Sequence, residues 1–392
     1  MQIEQHMPCE NPLWPCAMTG AVACLSGFDG LAVVVHGSSG CYFYPASLVG
    51  VPIHGTFLVE SEVIFGTESR LMEVIRDLNG RYSQVAVVNT CVPAIMGEDL
   101  SALARDGRVL FIDSPGFLGD LEAGYRRALD TIAPVVDPDT PGVNIDGICR
   151  TDPFCRGNAL EARRLLNLAG APVAATFCLD RYDAAHRAAP FTVGTNPDLA
   201  SGVGTWCGSL LGLDAVGETF ERLESLVDGV DSRPIKEEIA WADARIQKAC
   251  GKYLRRFDPP RVVIAAQSAY AAFAKDFLDR YLGADIVCIA ARNNPGEDSN
   301  GITSTTDFST IREMILDAEP DLVIGSSYER TLAPGAAFVG LTPPLRGMVL
   351  LSSRMIAGVE GALWFMDEVL NACANRNRRS KSENVVHAKD RR

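Results

Sequence analysis

Residues 31–44 read LAVVVHGSSGCYFY. The five opening apolar residues read as a strand covered on both faces, because a half-exposed strand would alternate polar with apolar. The run then breaks into the Gly-rich turn His36-Gly37-Ser38-Ser39-Gly40 and delivers Cys41. A second unit, VAVVNTCVPAIMGEDL at residues 85–100, repeats the design: a strand over 85–88 runs into Asn89-Thr90-Cys91 and a helix start. Further apolar runs lie at 109–112, 173–177, 262–265, 286–290, 322–324 and 348–351, with amphipathic stretches at 70–78, 121–132, 159–169 and 271–282 between them. Strand and helix in alternation specify an α/β protein whose parallel sheets are built from βαβ units.

Groups just beyond the carboxyl ends of parallel strands converge on one crevice, so Cys41 and Cys91 are expected on the same sheet edge. Cys16 stands ahead of the helical stretch 17–25 that feeds the first strand, and belongs near that edge too. Loop cysteines among glycines and small residues suit an iron-sulfur cluster, since thiolates supply the ligands and nearby backbone N–H groups tune it. Three unrelated structural thiols would give the same spacing. No compact Cys-x-x-Cys run is present, so the residues alone leave both readings open.

The chain has 392 residues, 47% hydrophobic and 22% charged, enough for two or three packed cores. The segment APVVDPDTPG at 133–142 reads as a turn-rich linker. A charged helix over about 235–256 ends at Asp258-Pro259-Pro260 before another strand. These seams predict three Rossmann-like domains, 1–135, 136–257 and 258–374, followed by a basic flexible tail at 375–392. A net charge of −13 argues against nucleic acid as the main partner, and the cations of the tail read as a solvated terminus. No apolar run approaches the roughly 20 residues that span a bilayer. The N-terminus lacks the basic and apolar regions of a secretory signal, and a cytoplasmic location is expected. Disulfides are rare in such a compartment, which makes metal binding the question to ask of the 12 cysteines.

WPCAMTGAVACLSGF at 14–28, VVVHGSSGCYFY at 33–44, SEVIFGTESRLMEVI at 61–75 and VVNTCVPAIMGEDL at 87–100 occur in this order and closely resemble the N-terminal segments of nitrogenase component 1 subunits, above all the β-type chain. SPGFLGDLEAGY at 114–125, EPDLVIGSSYE at 319–329 and RMIAGVEGALWFMDEVLN at 354–371 extend the resemblance more weakly over nearly the whole chain. It implies three Rossmann-like domains in the nitrogenase component 1 architecture. It also implies Cys16, Cys41 and Cys91 as ligands of an iron-sulfur cluster, 4Fe-4S or P-cluster-like. The first spacing matches the family pattern, while the second is somewhat compressed.

The resemblance further implies a homodimer or a heterodimer with a related subunit, fed with electrons by a separate ATP-hydrolysing 4Fe-4S Fe-protein reductase. The chain itself carries no G-x-x-x-x-G-K-[ST] loop, so ATP is used by the partner. Nitrogenase α-type chains anchor the molybdenum-iron cofactor through a Cys and a His in the later domains. Here the corresponding segments are Ala266-Gln267-Ser268-Ala269-Tyr270 and Leu345-Arg346-Gly347-Met348, with neither residue, and dinitrogen reduction is not expected. In size the chain is closer to compact nitrogenase-like reductases such as the catalytic component of Ni-sirohydrochlorin a,c-diamide reductive cyclase. That resemblance implies reduction of a nickel tetrapyrrole in methanogenic nickel-coenzyme biosynthesis. A metallocluster assembly scaffold would use the same cysteines, and a reductase of another substrate the same chemistry.

Other residues invite a role. His36, with Glu60 or Glu62, is a candidate proton donor, or His36 holds the turn. Cys9 could be an extra ligand, and Cys149 with Cys155 half of a second metal site. Cys24, Cys178 and Cys288 read as packing thiols. Arg292, Arg346 and Arg354 are candidate anion contacts, with ordinary salt bridging as the alternative.

Overall fold

In the computed structural model the described backbone comprises residues 12–98, 100–104, 107–293 and 302–390, with side chains described as far as residue 377 except at 103 and 104. The run that opens LAVVVH forms β1 (Leu31–His36), buried along its whole length. It lies centrally in a four-stranded sheet with β2 (His54–Gly55), β3 (Gln84–Asn89) and β4 (Val109–Asp113), in the order β2-β1-β3-β4 and parallel throughout. Helices cover both faces of such a sheet, and that cover is why β1 and β3 are continuous apolar runs. One face packs on helix Glu68–Leu78, where Leu71, Ile75 and Leu78 meet Val34, Val85 and Val87.

Helix Ala17–Leu25 is buried on every side. Its small residues allow backbone contact with helix Leu121–Ile132: a Cβ on Gly20 would fall 1.8 Å from the Leu121 carbonyl oxygen, and one on Gly124 1.7 Å from that of Ala17. Any side chain at either position would drive the two helices apart.

A second parallel sheet follows, β5 (Val143–Asp146), β6 (Val173–Thr176), β7 (Phe191–Gly194) and β8 (Thr205–Ser209), in the order β6-β5-β7-β8. The third contains β9 (Arg261–Ala266), β10 (Asp285–Ala291), β11 (Ile302–Ser304), β12 (Leu322–Gly325) and β13 (Ala337–Gly340), in the order β11-β10-β9-β12-β13. Three doubly wound parallel sheets are the architecture expected from the sequence. By contacts the chain divides into two compact units. Pro15–Ala240 with Ser352–Ala362 hold the first two sheets; Trp241–Leu351 with residues 12–14 and the last helix from Leu363 hold the third.

Two stretches depart from the sequence reading. Residues 348–351, expected as a strand, form none; Val349 is 78% and Leu351 95% exposed. A short apolar run becomes a strand only where it pairs with a sheet edge under a cover, and this run stays unpaired and exposed. The segment 133–142, read as a linker, is tied down: Val135 and Asp137 donate to the carbonyls of Ala185 and Ala188. The last helix is Gly358–Asp390 and so runs on into the basic segment 375–392, whose side chains from 378 lie outside the described residues.

Candidate metal centre

Three strand ends of the first sheet deliver the residues of the site. After β1 the chain turns at Gly37 and enters helix Ser39–Val49, with Ser38 at its N-cap and Cys41 in its first turn. After β3, in register with β1 so that His36 pairs Asn89, Thr90 is the N-cap and Cys91 the first residue of helix Cys91–Met96. The two turns interlock. A Cβ on Gly37 would lie 1.9 Å from Thr90 Oγ1, so only glycine lets them approach.

After β4, Asn89 Nδ2 donates to Asp113 Oδ1 at 2.9 Å, and the chain passes through Ser114-Pro115 to Gly116. The N–H of Gly116 donates to Cys91 Sγ at 3.1 Å. A Cβ built on Gly116 would stand 3.1 Å from Cys16 Sγ and 3.3 Å from Cys91 Sγ. The two sulfurs therefore flank one point and are no further apart than the sum of those distances.

Cys16 is brought there by the same loop. It is the N-cap of helix Ala17–Leu25, forms an antiparallel bridge with Asp120, and is followed by Ala17, whose N–H donates to the Gly119 carbonyl at 2.9 Å. Cys41 lies in the adjacent turn, with Ser38 Oγ 3.7 Å from its sulfur. The structure thus gathers Cys16 and Cys91 about Gly116 and places Cys41 on the same sheet edge. Among the described residues no three His, Cys, Asp or Glu side chains stand together as a metal-binding group.

The donor set nevertheless fits an iron-sulfur cluster: soft thiols, all three only partly buried, with a backbone amide already aimed at one sulfur. Other cysteines have the opposite surroundings. Burial pushes the thiols of Cys155, Cys250 and Cys373 up to about 12, that of Cys288 to about 11, and those of Cys24 and Cys149 upward as well. The upward shift disfavours the thiolate that a metal ligand requires. Cys24 and Cys178 pack sulfur to sulfur at 3.4 Å, with Tyr125 Oη 3.0 Å from Cys178. Cys149 is 3.1 Å from Thr151 Oγ1. Cys9 lies outside the described residues.

His36 is fully buried, with Nδ1 3.2 Å from Thr56 Oγ1 and Nε2 2.9 Å from Thr67 Oγ1. Thr67 Oγ1 in turn donates to Glu98, and Thr56 Oγ1 accepts from the Gly37 amide at 3.0 Å. Burial lowers the imidazole to about 4 against the opposing pull of Glu98 and Glu62. At neutral pH it is uncharged and braces the turn. Glu62 accepts from the Val59 amide and caps its own helix, and Glu60 is exposed.

Around the cysteines the surface is apolar. Phe43 is 63% exposed, Ile95 76% and Phe117 59%, each on the segment that carries Cys41, Cys91 or Gly116. Ile64 and Phe65, in helix Glu60–Phe65, are 73% and 87% exposed.

Of the candidate anion contacts, Arg292 is buried against Glu329, Arg346 lies 5.5 Å over the Tyr328 ring, and the Arg354 carbonyl packs on Gly157. In the unit with the third sheet a cavity of about 420 Å³ opens at the amino edge, lined by Tyr253, Arg256, Pro260, Asp321, Cys373 and Arg376. Arg376 Nη1 is paired with Asp321 at 2.7 Å, so this is a polar recess and not an apolar cleft. No described helix is long and apolar enough to cross a membrane.

Sequence reasoning missed Gly116 and the Gly37–Thr90 contact. The signal for Gly116 was the segment SPGFLGD, which entered only as part of the resemblance because it carries no cysteine.

Known proteins resemble this chain in sequence and fold. The chain is 30% identical over 188 residues to the nitrogenase molybdenum-iron protein beta chain of Frankia alni, a match covering 41% of this chain and 35% of that one. It is 23% identical over 360 residues to the nitrogenase iron-molybdenum cofactor biosynthesis protein NifE of Clostridium pasteurianum, covering 81% and 79%. The solved structure described as nitrogenase Cp1 at pH 6.5 superposes with a TM-score of 0.82 over 97% of this chain and 96% of that one. At 16% identity this likeness speaks for the fold alone. Residues 16–374 match the family described as nitrogenase component 1 type oxidoreductase, and the chain belongs to that family.

Proposed function

We propose that this chain is the iron-sulfur catalytic component of an ATP-dependent nitrogenase-like reductase, with Cys16, Cys41 and Cys91 as cluster ligands. The observation that carries the reading is the convergence of Cys16 and Cys91 on Gly116, with Cys41 in the interlocked neighbouring turn. Bound there, the cluster supplies one-electron transfer at low potential. The three thiolates would hold it, and the Gly116 N–H, already donating to Cys91, stabilises negative charge on that sulfur. Neutral His36 keeps the Cys41 turn rigid through Thr56 and the Gly37 amide.

Three thiolates leave a cubane one ligand short, and exposed apolar side chains beside them favour a covered surface. Both support a dimer, of two copies or with a related subunit, with the cluster near the interface. Electrons would come from a separate Fe protein that hydrolyses ATP. The domain limits 1–135, 136–257 and 258–374 belong to the same proposal.

For the substrate we infer a tetrapyrrole, Ni-sirohydrochlorin a,c-diamide, in nickel-coenzyme synthesis; absent molybdenum-cofactor ligands at residues 266–270 and 345–348 support it. A second reading is favoured by one observation: the NifE relative matches over four-fifths of each chain, which suits a metallocluster assembly scaffold. Anaerobic purification with iron and sulfide analysis, followed by Ni-sirohydrochlorin a,c-diamide with an Fe-protein partner and MgATP, separates these. ATP-dependent turnover supports the reductase. Cluster release to an acceptor without turnover supports the scaffold, and a chain free of iron sinks both.

A further inference from the structure

The third sheet gathers buried polar side chains at its carboxyl edge. Its strand order reverses between β9 and β12, and in parallel sheets ligands bind outside the carboxyl ends of the strands at such a reversal. Arg292 follows β10. Its N–H donates to the Ala266 carbonyl at the end of β9, at 2.9 Å, and its guanidinium reaches across to Glu329 in the helix after β12. It therefore spans the reversal point.

The pair is buried, Arg292 to 2% and Glu329 to 0% exposure. Glu329 is fully engaged: Oε1 takes Arg292 Nη2, and Oε2 accepts from Ser326 N at 2.7 Å and Ser326 Oγ at 2.6 Å. Neighbouring polar groups hold the strand ends together, Ser268 N on Asn293 Oδ1 at 2.7 Å and Thr342 Oγ1 on the Ala265 carbonyl at 2.9 Å. Arg292 differs from all of them. Its Nε and Nη1 are buried and make no hydrogen bond among the described residues. Buried donors left unmade cost about 1–3 kcal/mol each, more when charged, and an orphaned group in a native protein calls for an explanation.

We propose that Arg292 anchors a ligand site at this switch point and takes a planar oxygen acceptor, the carboxylate or carboxamide arm of a small organic molecule. With Nη2 held by Glu329, the spare Nε and Nη1 lie on opposite edges of the guanidinium and each takes its own acceptor oxygen. Glu329 already neutralises Arg292, so a multiply charged phosphate would bring uncompensated charge into the site, while a carboxamide oxygen adds none and a carboxylate only one. Arg292 is enclosed, so entry requires local opening, and association is slower than docking on a preformed surface. The identification of the ligand rests on the tetrapyrrole reading, since such substrates carry acetate, propionate and amide arms; the site does not.

Two variants test it. Arg292→Lys keeps a charge beside Glu329 and removes the spare Nε and Nη1 donors; the double variant Arg292→Gln with Glu329→Gln keeps a neutral, hydrogen-bonding pair. Each is checked for an unchanged melting transition and iron content, then titrated with Ni-sirohydrochlorin a,c-diamide by absorbance, and with propionate and propionamide by calorimetry. The expected result is tetrapyrrole affinity reduced about ten- to a hundredfold in both variants, as for lost hydrogen bonds to a charged group, with small-acid and small-amide binding seen only in the unmodified protein. Tetrapyrrole binding of equal strength in all three proteins overturns the site and leaves the substrate reading standing. Small-molecule binding that depends on Arg292, without tetrapyrrole binding, keeps the site and removes the substrate. No binding of any probe to the unmodified protein overturns both.

Discussion

Gly116→Ala is the sharpest test of the metal centre. The added methyl would sit 3.1 Å from Cys16 Sγ and 3.3 Å from both Cys16 Cβ and Cys91 Sγ, inside the roughly 3.5–4.0 Å at which heavy atoms attract. Both thiols must yield by several tenths of an ångström. Overpacking of this kind costs about 1–3 kcal/mol, and reduced freedom of the unfolded chain returns about 0.4–1 kcal/mol where the backbone conformation suits alanine. A net loss near 1 kcal/mol follows, a fall of about 2–4 °C in melting temperature for a unit of this size.

The effect on metal should be far larger than the effect on stability, because the methyl enters the space between two ligands. Iron per folded chain is expected to drop by at least about half, judged by the ten- to hundredfold affinity losses typical when a ligand's surroundings are altered. Gly40→Ala is the control: it neighbours Cys41 in sequence, yet a Cβ there meets nothing closer than Ser38 Oγ at 4.0 Å. The assay is anaerobic iron and sulfide analysis beside circular dichroism melting. Full iron in Gly116→Ala with an unchanged cluster spectrum would refute the claim that Cys16 and Cys91 bind one group around this glycine.

Replacing Cys16, Cys41 or Cys91 by Ala should strip most of the iron from folded protein, whereas Cys24→Ala and Cys288→Ala should retain it; equal retention in all five removes the ligand assignment. His36 titrates near 4 when folded and near 6.5 when unfolded, so the unfolded chain takes the proton first and stability drains away as pH falls from 6.5 to 4. The loss reaches about 3 kcal/mol; chemical denaturation across that window should be flatter for His36→Asn, and a parallel slope would contradict the brace. Ile64→Lys with Phe65→Lys should shift anaerobic native mass spectra toward monomer without loss of fold, since both side chains are exposed; an undisturbed dimer would move the interface elsewhere.

The parts of this protein that could be read from its sequence are those governed by burial along a continuous segment. β1 and β3 are uninterrupted apolar runs because helices cover both faces, and helix Leu121–Ile132 buries Leu121, Tyr125, Ala128, Leu129 and Ile132 at helical spacing. β5 escaped notice because Asn144 sits inside it. That amide is satisfied by Ala189, donating to its carbonyl at 2.8 Å and accepting from its N–H at 2.9 Å, a compensation invisible without the fold. β7 and β8 are four and five residues long and hold Thr192, Gly194 and Gly208, which dilute any apolar signal.

The site divides along the same line. Cys41 and Cys91 could be placed on one edge from strand ends alone, and Cys16 near it from the helix that feeds β1, while its closeness to Cys91 depends on that helix docking against a distant one. That docking rests on Gly20 and Gly124, and the gathering of sulfurs on Gly37 and Gly116. In all four cases what matters is a side chain that must be absent, and a required absence leaves no periodicity, charge or polarity in a sequence to detect. Glycine is common in turns for many reasons, so its packing role emerges only once the atoms it makes room for are in place. It follows that substitutions at these four glycines, more than changes in the apolar runs, will report whether the cysteines were arranged to share one metal group.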